Sequence, residues 1–144
     1  GMVIGGHGDT TMIPLARLAT YKGIPVSELL SAEELEKVVK ATMVGGATLT
    51  GLLGTSAWYA PGAAGAFVVE SIIKNQKKLI PSCVALEGEY GQNDICIGVP
   101  TIIGRNGVEK IVEVELNAAE KALFVASADA VRKTNDVLKE INVL

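Results

Sequence analysis

Residues 95–116, ICIGVPTIIGRNGVEKIVEVEL, decide the fold class of this 144-residue chain. Two runs rich in β-branched residues flank the pair Asn106-Gly107. Such a pair between β-rich runs is a strong hairpin signal, because both central residues of a type I′ turn need a positive φ. We therefore predict two antiparallel strands, at 101–103 and 108–116, joined by a type I′ turn.

Further strands are predicted on the N-terminal side of this hairpin. Residues 82–86 and 95–99 have the composition of strands, and the glycine-containing loop 88–94 separates them. Residues 2–4 read as a short apolar strand that runs into a glycine-rich turn, and residues 11–22 are expected to be extended.

Two helices are predicted before the β-rich block. Ser31 and Glu34 have the spacing of a capping box, in which each side chain binds the backbone amide of the other residue. The helix that begins there is expected to continue to Leu53. Pro61 suits the first turn of a second helix. That helix continues over residues 63–76 and is apolar nearly all round until Glu70, which is typical of a buried helix.

A third helix is predicted at the C-terminal end of the chain. Asn117 and Glu120 resemble another cap. The apolar residues that mark this amphipathic helix are Leu123, Ala130, Val131, Val137, Leu138 and Ile141. Helices thus come first, a β-rich block second and a helix last. This order predicts an α+β fold, with an antiparallel or mixed sheet packed with long helices, in one domain over residues 1–144.

Composition excludes several classes of protein. Hydrophobic residues make up 49% of the chain and charged residues 20%, so a core can form and bulk disorder is excluded. A formal net charge of -3 and an aromatic content of 4% argue against nucleic-acid binding. Two cysteines and the lack of a recognisable signal peptide predict a reducing, cytoplasmic location. The abrupt apolar start is typical of a cut inside a longer protein.

Residues 41–69 carry no charge. A membrane-spanning helix needs about 20 predominantly apolar residues, but glycines, hydroxyl residues and Pro61 interrupt this stretch. We therefore expect no membrane span. The small residues indicate helices that pack closely, with one face covered by a partner.

His7 is the single histidine of the chain and lies between glycines directly after an apolar strand. Loops at strand ends often carry functional residues, and histidine suits proton transfer near neutral pH. A structural role for His7 stays open. Asp9 could orient His7, but we expect it to bind backbone amides of the turn. One histidine and two cysteines are too few for a closed zinc site, so no metal is expected.

The segment Gly6-His7-Gly8 is not the beginning of a dinucleotide-binding fingerprint. The pattern G-x-G-x-x-G would need a glycine where Thr11 stands, and no G-x-x-x-x-G-K-[ST] occurs in the chain. The sequence therefore contains no recognisable nucleotide-binding half, and no Rossmann domain is predicted.

The loop GGHGDT at 5–10, followed by MIPL at 12–15, resembles the active-site loop of the NAD-dependent malate dehydrogenases of the lactate-dehydrogenase-like kind. Five further segments resemble that family in the same order: GGA at 45–47, SAWYAP at 56–61, LEGEYG at 86–91, GVP at 98–100 and GVEKI at 107–111. The resemblance covers essentially the whole chain and concerns only the C-terminal catalytic domain. Gly6 stands where the lactate branch usually carries glutamate, which favours malate.

The resemblance implies roles for four residues. His7 matches the histidine that takes the hydroxyl proton when malate is oxidised to oxaloacetate and hydride passes to NAD. Gly46 and Ser56 match positions that line the substrate pocket. Pro61 matches the point where the chain approaches the nicotinamide. Gly46 could equally serve close helix packing, and Thr55 stands where the family often has glycine.

The resemblance also places several parts of the parent enzyme upstream of this chain. They are the carboxylate partner of the histidine, the arginine that clamps the substrate, and the nucleotide-binding domain that holds most of the NAD. Asp9 and Arg17 are therefore not assigned to these roles.

The parent is expected to be a homo-oligomer, a dimer or tetramer, in which this domain packs against its own N-terminal domain. Two alternatives stay open. One is a lactate or other 2-hydroxyacid dehydrogenase, and the other is a non-catalytic oligomerisation domain.

Overall fold

The computed structural model describes residues 1–141. Seven strands and three helices follow one another in this range: β1 (Val3–Gly5), β2 (Met12–Pro14), β3 (Thr20–Tyr21), β4 (Ile24–Pro25), α1 (Ala32–Leu53), α2 (Tyr59–Ile73), β5 (Lys78–Glu87), β6 (Asn93–Gly104), β7 (Gly107–Ile111) and α3 (Ala118–Glu140). Within the segment predicted to be extended, 11–22, residues 12–14 and 20–21 are strands, a short 3-10 turn occupies Ala16–Leu18, and Thr11 and Lys22 belong to turns. The predicted α+β class is confirmed.

Five strands form one antiparallel sheet in the order β2-β1-β6-β5, with β7 also paired to β6. β5 pairs with β6 from Lys78 opposite Ile103 to Glu87 opposite Asn93. This pairing fills one edge of β6, so β1 and β7 share the other edge. The strands predicted at 95–99 and 101–103 are therefore one continuous strand.

β6 passes through Pro100, which lies opposite Pro81 of β5. The carbonyl of Pro100 accepts a hydrogen bond from the Val112 N–H (2.8 Å), so it faces away from β5. Pro81 and Pro100 thus form a non-hydrogen-bonded pair, and neither proline removes a bond between the two strands. The missing N–H of Pro81 faces the outer edge of β5.

The hairpin between β6 and β7 is present, but its turn differs from the prediction. Gly104 pairs with Gly107, so Arg105 and Asn106 are the central residues of the turn. Of these four residues, Gly107 alone has a positive φ, at 83°. This is the pattern of a type I turn followed by a left-handed glycine. The type I′ pattern occurs instead between β3 and β4, where both residues of Lys22-Gly23 have positive φ.

The last strand, β7, ends at Ile111 and is therefore shorter than the strand predicted at 108–116. Beyond it the backbone bonds to a side chain. The Tyr90 hydroxyl donates to the Val112 carbonyl (2.9 Å) and accepts from the Val114 N–H (2.9 Å). These bonds satisfy backbone groups that would otherwise need a neighbouring strand.

Both predicted capping boxes are present. At the start of α1, Ser31 Oγ accepts from the Glu34 N–H (3.3 Å), and the Glu34 carboxylate accepts from the Ser31 N–H (2.8 Å). α1 then runs to Leu53, as predicted. Asn117 and Glu120 make the same exchange at the start of α3, with both distances 2.9 Å.

The burial predicted for α2 is wrong for this chain. Only Ser71 of this helix is buried, and its hydroxyl donates to the Ile103 carbonyl of β6 (2.7 Å). Tyr59 is 84% exposed and Ile73 is 70% exposed. Residues 41–69 are exposed at almost every position, because nothing within residues 1–141 covers them. In the same range, no helix has both the length and the apolar character that crossing a bilayer requires.

The core lies between α3 and the inner face of the sheet. β6 contributes alternate residues, Ile95, Ile97 and Val99, and α3 contributes Phe124 and Ala128. The apolar face of α3 differs from the predicted one, because its inward stripe follows positions 124, 128 and 131. Val131, one of the residues predicted for that face, lies on this stripe. Four others are exposed, namely Leu123, Val137, Leu138 and Ile141.

An ion pair joins the 3-10 turn after β2 to the start of α3. Arg17 Nε lies 2.8 Å from Glu120 Oε1, and the guanidinium also donates to the Glu115 carbonyl. The hydrogen bond from Arg17 is the main cause that lowers the pKa of the Glu120 carboxyl below its ordinary value. The Asn117 N–H lowers this pKa further, whereas burial opposes the shift.

We predict that Arg17→Ala lowers the thermal unfolding midpoint at neutral pH and that this deficit shrinks in acid. A carboxyl whose pKa is depressed by folding contributes stability above its unfolded pKa, about 4.3. That stability is lost as the pH falls through the folded pKa. Lys37→Ala, which removes an exposed pair with Glu33, is the control and should change little. A deficit of the same size at neutral pH and near pH 3 would contradict the prediction.

Candidate active site

His7 lies in the loop that joins β1 to β2. β1 reaches β6 where Gly5 pairs with Gly98. A Cβ on Gly98 would lie 2.7 Å from the Gly5 carbonyl oxygen, so the two backbones can approach only because this position is glycine. Gly5 and Gly6 are buried, whereas the side chain of His7 is exposed. The imidazole is thus presented to solvent by a buried backbone.

The turn after His7 is closed by Gly8 and Thr11. The Gly8 carbonyl accepts from the Thr11 N–H (2.9 Å), from the Met12 N–H (3.0 Å) and from the Thr11 hydroxyl (3.3 Å). Within residues 1–141, neither the Asp9 carboxylate nor the His7 imidazole has a hydrogen bond or an ion pair. The bonds to backbone amides predicted for Asp9 are therefore not formed among the described residues, and the turn is closed by Thr11 instead.

Helix α3 holds the ends of this loop. Ser127 is 3% exposed, and its Oγ accepts from the Gly6 N–H (2.8 Å). The same hydroxyl donates to the Thr11 carbonyl (2.7 Å). A methyl group of Val131 lies 3.1 Å from where a Cβ on Gly6 would be, so the loop is also packed closely against the helix.

A groove of about 490 Å³ opens beside His7, lined by residues of β1, β5 and β6 and by Val131 of α3. Both cysteines of the chain, Cys83 and Cys96, line this groove and are unpaired. Burial raises the pKa of the Cys83 thiol, and the nearby Cys96 adds to the shift. A thiol shifted in this direction is a poor nucleophile near neutral pH. Among the described residues, no group of three or more metal-ligating side chains could hold a metal ion.

The other predicted site residues lie on the helix pair α1 and α2. Gly46 is within α1, Ser56 is in the connection between the helices, and Pro61 is in the first turn of α2. All three are exposed, and none lines the groove beside His7. The structure therefore does not bring the four predicted residues into one cavity. Within residues 1–141, a Cβ on Gly46 would meet nothing within 4 Å, so close packing in this range does not explain that glycine.

The local sequence motifs do not identify Ser127 as part of this site. Its bond to Gly6 joins residues 121 positions apart, and local spacing carries no information on such a contact. The one available signal is compositional: a hydroxyl residue lies on the inward stripe of an amphipathic helix, next to Ala128 and between Phe124 and Val131. A polar residue at such a position needs a buried hydrogen-bond partner.

Comparison with known proteins gives the family of this chain. Residues 2–141 match the family described as lactate/malate dehydrogenase, alpha/beta C-terminal domain. A malate dehydrogenase of Parabacteroides distasonis is 76% identical over all 144 residues, and one of Flavobacterium frigidimaris is 71% identical over 142 residues, which is 99% of this chain. The chain spans 46% of the length of each of these relatives.

Solved structures from both branches of the family resemble this chain. The malate dehydrogenase of Salinibacter ruber has a TM-score of 0.94 at 45% identity, covering 98% of this chain and 46% of that one. The lactate dehydrogenase of Eimeria maxima, solved with NADH and oxamate, has a TM-score of 0.93 at 39% identity, covering 99% of this chain and 46% of that one. The fold alone therefore does not separate the two branches.

We predict that Gly5→Ala destabilises the chain more than Gly23→Ala. Both glycines have positive φ, 93° and 87°, and a left-handed alanine costs about 1–2 kcal/mol. Gly5, unlike Gly23, also lacks space for a Cβ atom, which would lie 2.6 Å from the Thr11 carbonyl oxygen. Overpacking of this kind adds about 1–3 kcal/mol. Free energies of unfolding from urea titration test this difference, and equal losses for the two variants would contradict it.

Proposed function

The chain belongs to the lactate/malate dehydrogenase family, and we propose that it is the substrate-binding and catalytic C-terminal half of an NAD-dependent malate dehydrogenase. The observation that carries this proposal is 71–76% identity to malate dehydrogenases over essentially the whole chain. The remaining half of the enzyme would be an N-terminal nucleotide-binding domain. We refer below to the two halves together as the full-length enzyme.

In the proposed reaction, His7 acts on the hydroxyl group at C2 of malate. The neutral imidazole takes the hydroxyl proton while the hydrogen on C2 leaves as hydride. NAD supplies the hydride acceptor when it is bound. The products are oxaloacetate, NADH and an imidazolium, which returns its proton to water. In the reverse direction the imidazolium polarises the carbonyl of oxaloacetate and protonates it. The exposure of the His7 side chain suits this exchange of protons with solvent.

Gly46, Ser56 and Pro61 would line the site from the helix pair. The open space beside Gly46 and the exposed hydroxyl of Ser56 are compatible with a small polar substrate. Pro61 offers an exposed apolar ring, which suits contact with a nicotinamide. These residues fit one end of the cofactor only, since the sequence has no phosphate-binding glycine motif. The rest of NAD would therefore be held by the N-terminal domain.

The exposed surface of the helix pair is proposed to contact other parts of the enzyme. Leu52 is 82% exposed and Trp58 is 62% exposed, within a stretch that carries no charge. Apolar surface of this kind marks an interface in a soluble protein. Its proposed occupants are the N-terminal domain and a second copy, in a homodimer or homotetramer. The two free cysteines fit a reducing cytoplasm.

A lactate dehydrogenase is the second candidate, favoured by the structural likeness to the Eimeria maxima enzyme. The identity to that enzyme is 39%, against 76% to a malate dehydrogenase, which supports malate as the first choice. Assays of the full-length enzyme with malate and with lactate decide between them.

We predict that His7→Asn in the full-length enzyme lowers turnover of malate by roughly 10²–10⁴-fold, the usual contribution of one acid–base group. Fold and NAD binding should persist, which circular dichroism and a cofactor titration can check. Asp9→Asn is a matched control in the same loop, because this exposed carboxylate has no partner within residues 1–141. His7→Asn turnover within a few-fold of wild type would mean that His7 is structural.

We also predict that the 144-residue chain by itself does not oxidise malate. It lacks a nucleotide-binding motif, and the cofactor could be held at one end only. The measurement is NADH formation from malate by the purified chain, compared with a buffer blank. Turnover above the blank that survives repurification would show that this domain binds NAD and reacts without the other half.

A further inference from the structure

We propose that Ser127 is a positioning residue for His7, which it serves by fixing both ends of the loop that carries the histidine. The inference rests on the proposed function of His7 as the proton acceptor. It gives a role to helix α3, which contains none of the four residues proposed for proton transfer, substrate binding or cofactor contact.

The hydroxyl of Ser127 makes two hydrogen bonds to the loop, one as acceptor and one as donor. It accepts the Gly6 N–H at 2.8 Å and donates to the Thr11 carbonyl at 2.7 Å. Gly6 directly precedes His7, and Thr11 ends the turn that follows it. One oxygen atom thus ties together the two points at which the loop leaves β1 and enters β2.

The position of His7 depends on its backbone, because its own side chain has no hydrogen bond within residues 1–141. Gly6, before it, is fixed by Ser127 and is packed against Val131. Gly8, after it, is fixed by the bonds from Thr11 and Met12. If the Ser127 hydroxyl is removed, the Gly6 N–H loses its partner in a buried site, which favours a movement of the loop towards water.

Such a movement would displace the imidazole relative to the substrate hydroxyl. A misplacement of about 1 Å can reduce the rate about 10²-fold even when the mutated residue never touches the substrate. Binding of NAD should change little, since the residue assigned to the nicotinamide lies on α2 and the rest of the cofactor contacts the other domain. The expected signature is therefore a loss in kcat with little change in the KM for NAD.

The test compares Ser127→Ala with Ser71→Ala in the full-length enzyme. Ser71 is the matched control, because it is also buried and its hydroxyl also links a helix to the sheet, through the Ile103 carbonyl at 2.7 Å. Each variant loses the two hydrogen bonds of its hydroxyl, but only those of Ser127 hold the His7 loop. Ser127→Ala should lower kcat about 10- to 100-fold, with the KM for NAD within twofold. Ser71→Ala should leave both values unchanged at temperatures well below unfolding.

A second readout does not depend on activity. In the 144-residue chain, hydrogen exchange of the Gly6 amide should become at least about tenfold faster in Ser127→Ala, because its protecting bond is gone, and should be unchanged in Ser71→Ala. If Ser127→Ala does not fold, Ser127→Cys replaces it in both measurements, since a thiol has a similar shape but is a weak donor and acceptor.

The possible failures are distinguishable. A fully active His7→Asn would overturn the proposed function and, with it, the positioning role of Ser127. An inactive His7→Asn beside a fully active Ser127→Ala would overturn the positioning role alone. An equal loss of kcat in Ser71→Ala would also overturn it, because the effect would then follow from lost stability rather than from the loop.

Discussion

The close approach of the Gly5 and Gly98 backbones is the contact on which the candidate site depends. β6 already has β5 along one edge, so β1 can join the sheet only on the other edge, and it does so through this pair. β2 pairs with β1 within the described sheet, so its place depends on the same contact. The loop that carries His7 lies between β1 and β2. A side chain at position 98 would therefore disturb the histidine without being near it in sequence.

Features controlled by neighbouring residues could be predicted from the sequence, and features controlled by distant residues could not. The two capping boxes are interactions over three residues, and both were predicted correctly. The type of the β6–β7 turn could not be predicted in this way. Asn75, thirty residues away, accepts the Arg105 N–H at 2.9 Å, and such a contact leaves no trace in the local pattern. The end of β7 was missed for the same reason, because Tyr90 satisfies the backbone beyond it.

The same distinction between neighbouring and distant residues applies to the candidate site. His7 could be proposed as a site residue because its glycine neighbours and the surrounding motif are contiguous in the sequence. Ser127 could not, because it reaches the loop from a distant helix. The roles of His7, Gly46, Ser56 and Pro61 all stay predictions. The structure places the last three on the exposed helix pair and its connection, outside the groove at His7. Periodicity showed that α2 is apolar, but it cannot show whether the covering surface belongs to the same chain. This explains why the predicted burial of α2 is wrong here.

The pair formed by Pro81 and Pro100 has a consequence for self-association. Within residues 1–141, no strand pairs with the outer edge of β5, and such an edge is a template on which further strands can add. Pro81 removes one of the outward N–H groups near the middle of this edge, while leaving the pairing with β6 intact. The free edge is therefore interrupted at the point where an incoming strand would need a continuous row of donors. Proline at this position protects the sheet from edge-to-edge aggregation at no cost to its internal bonds.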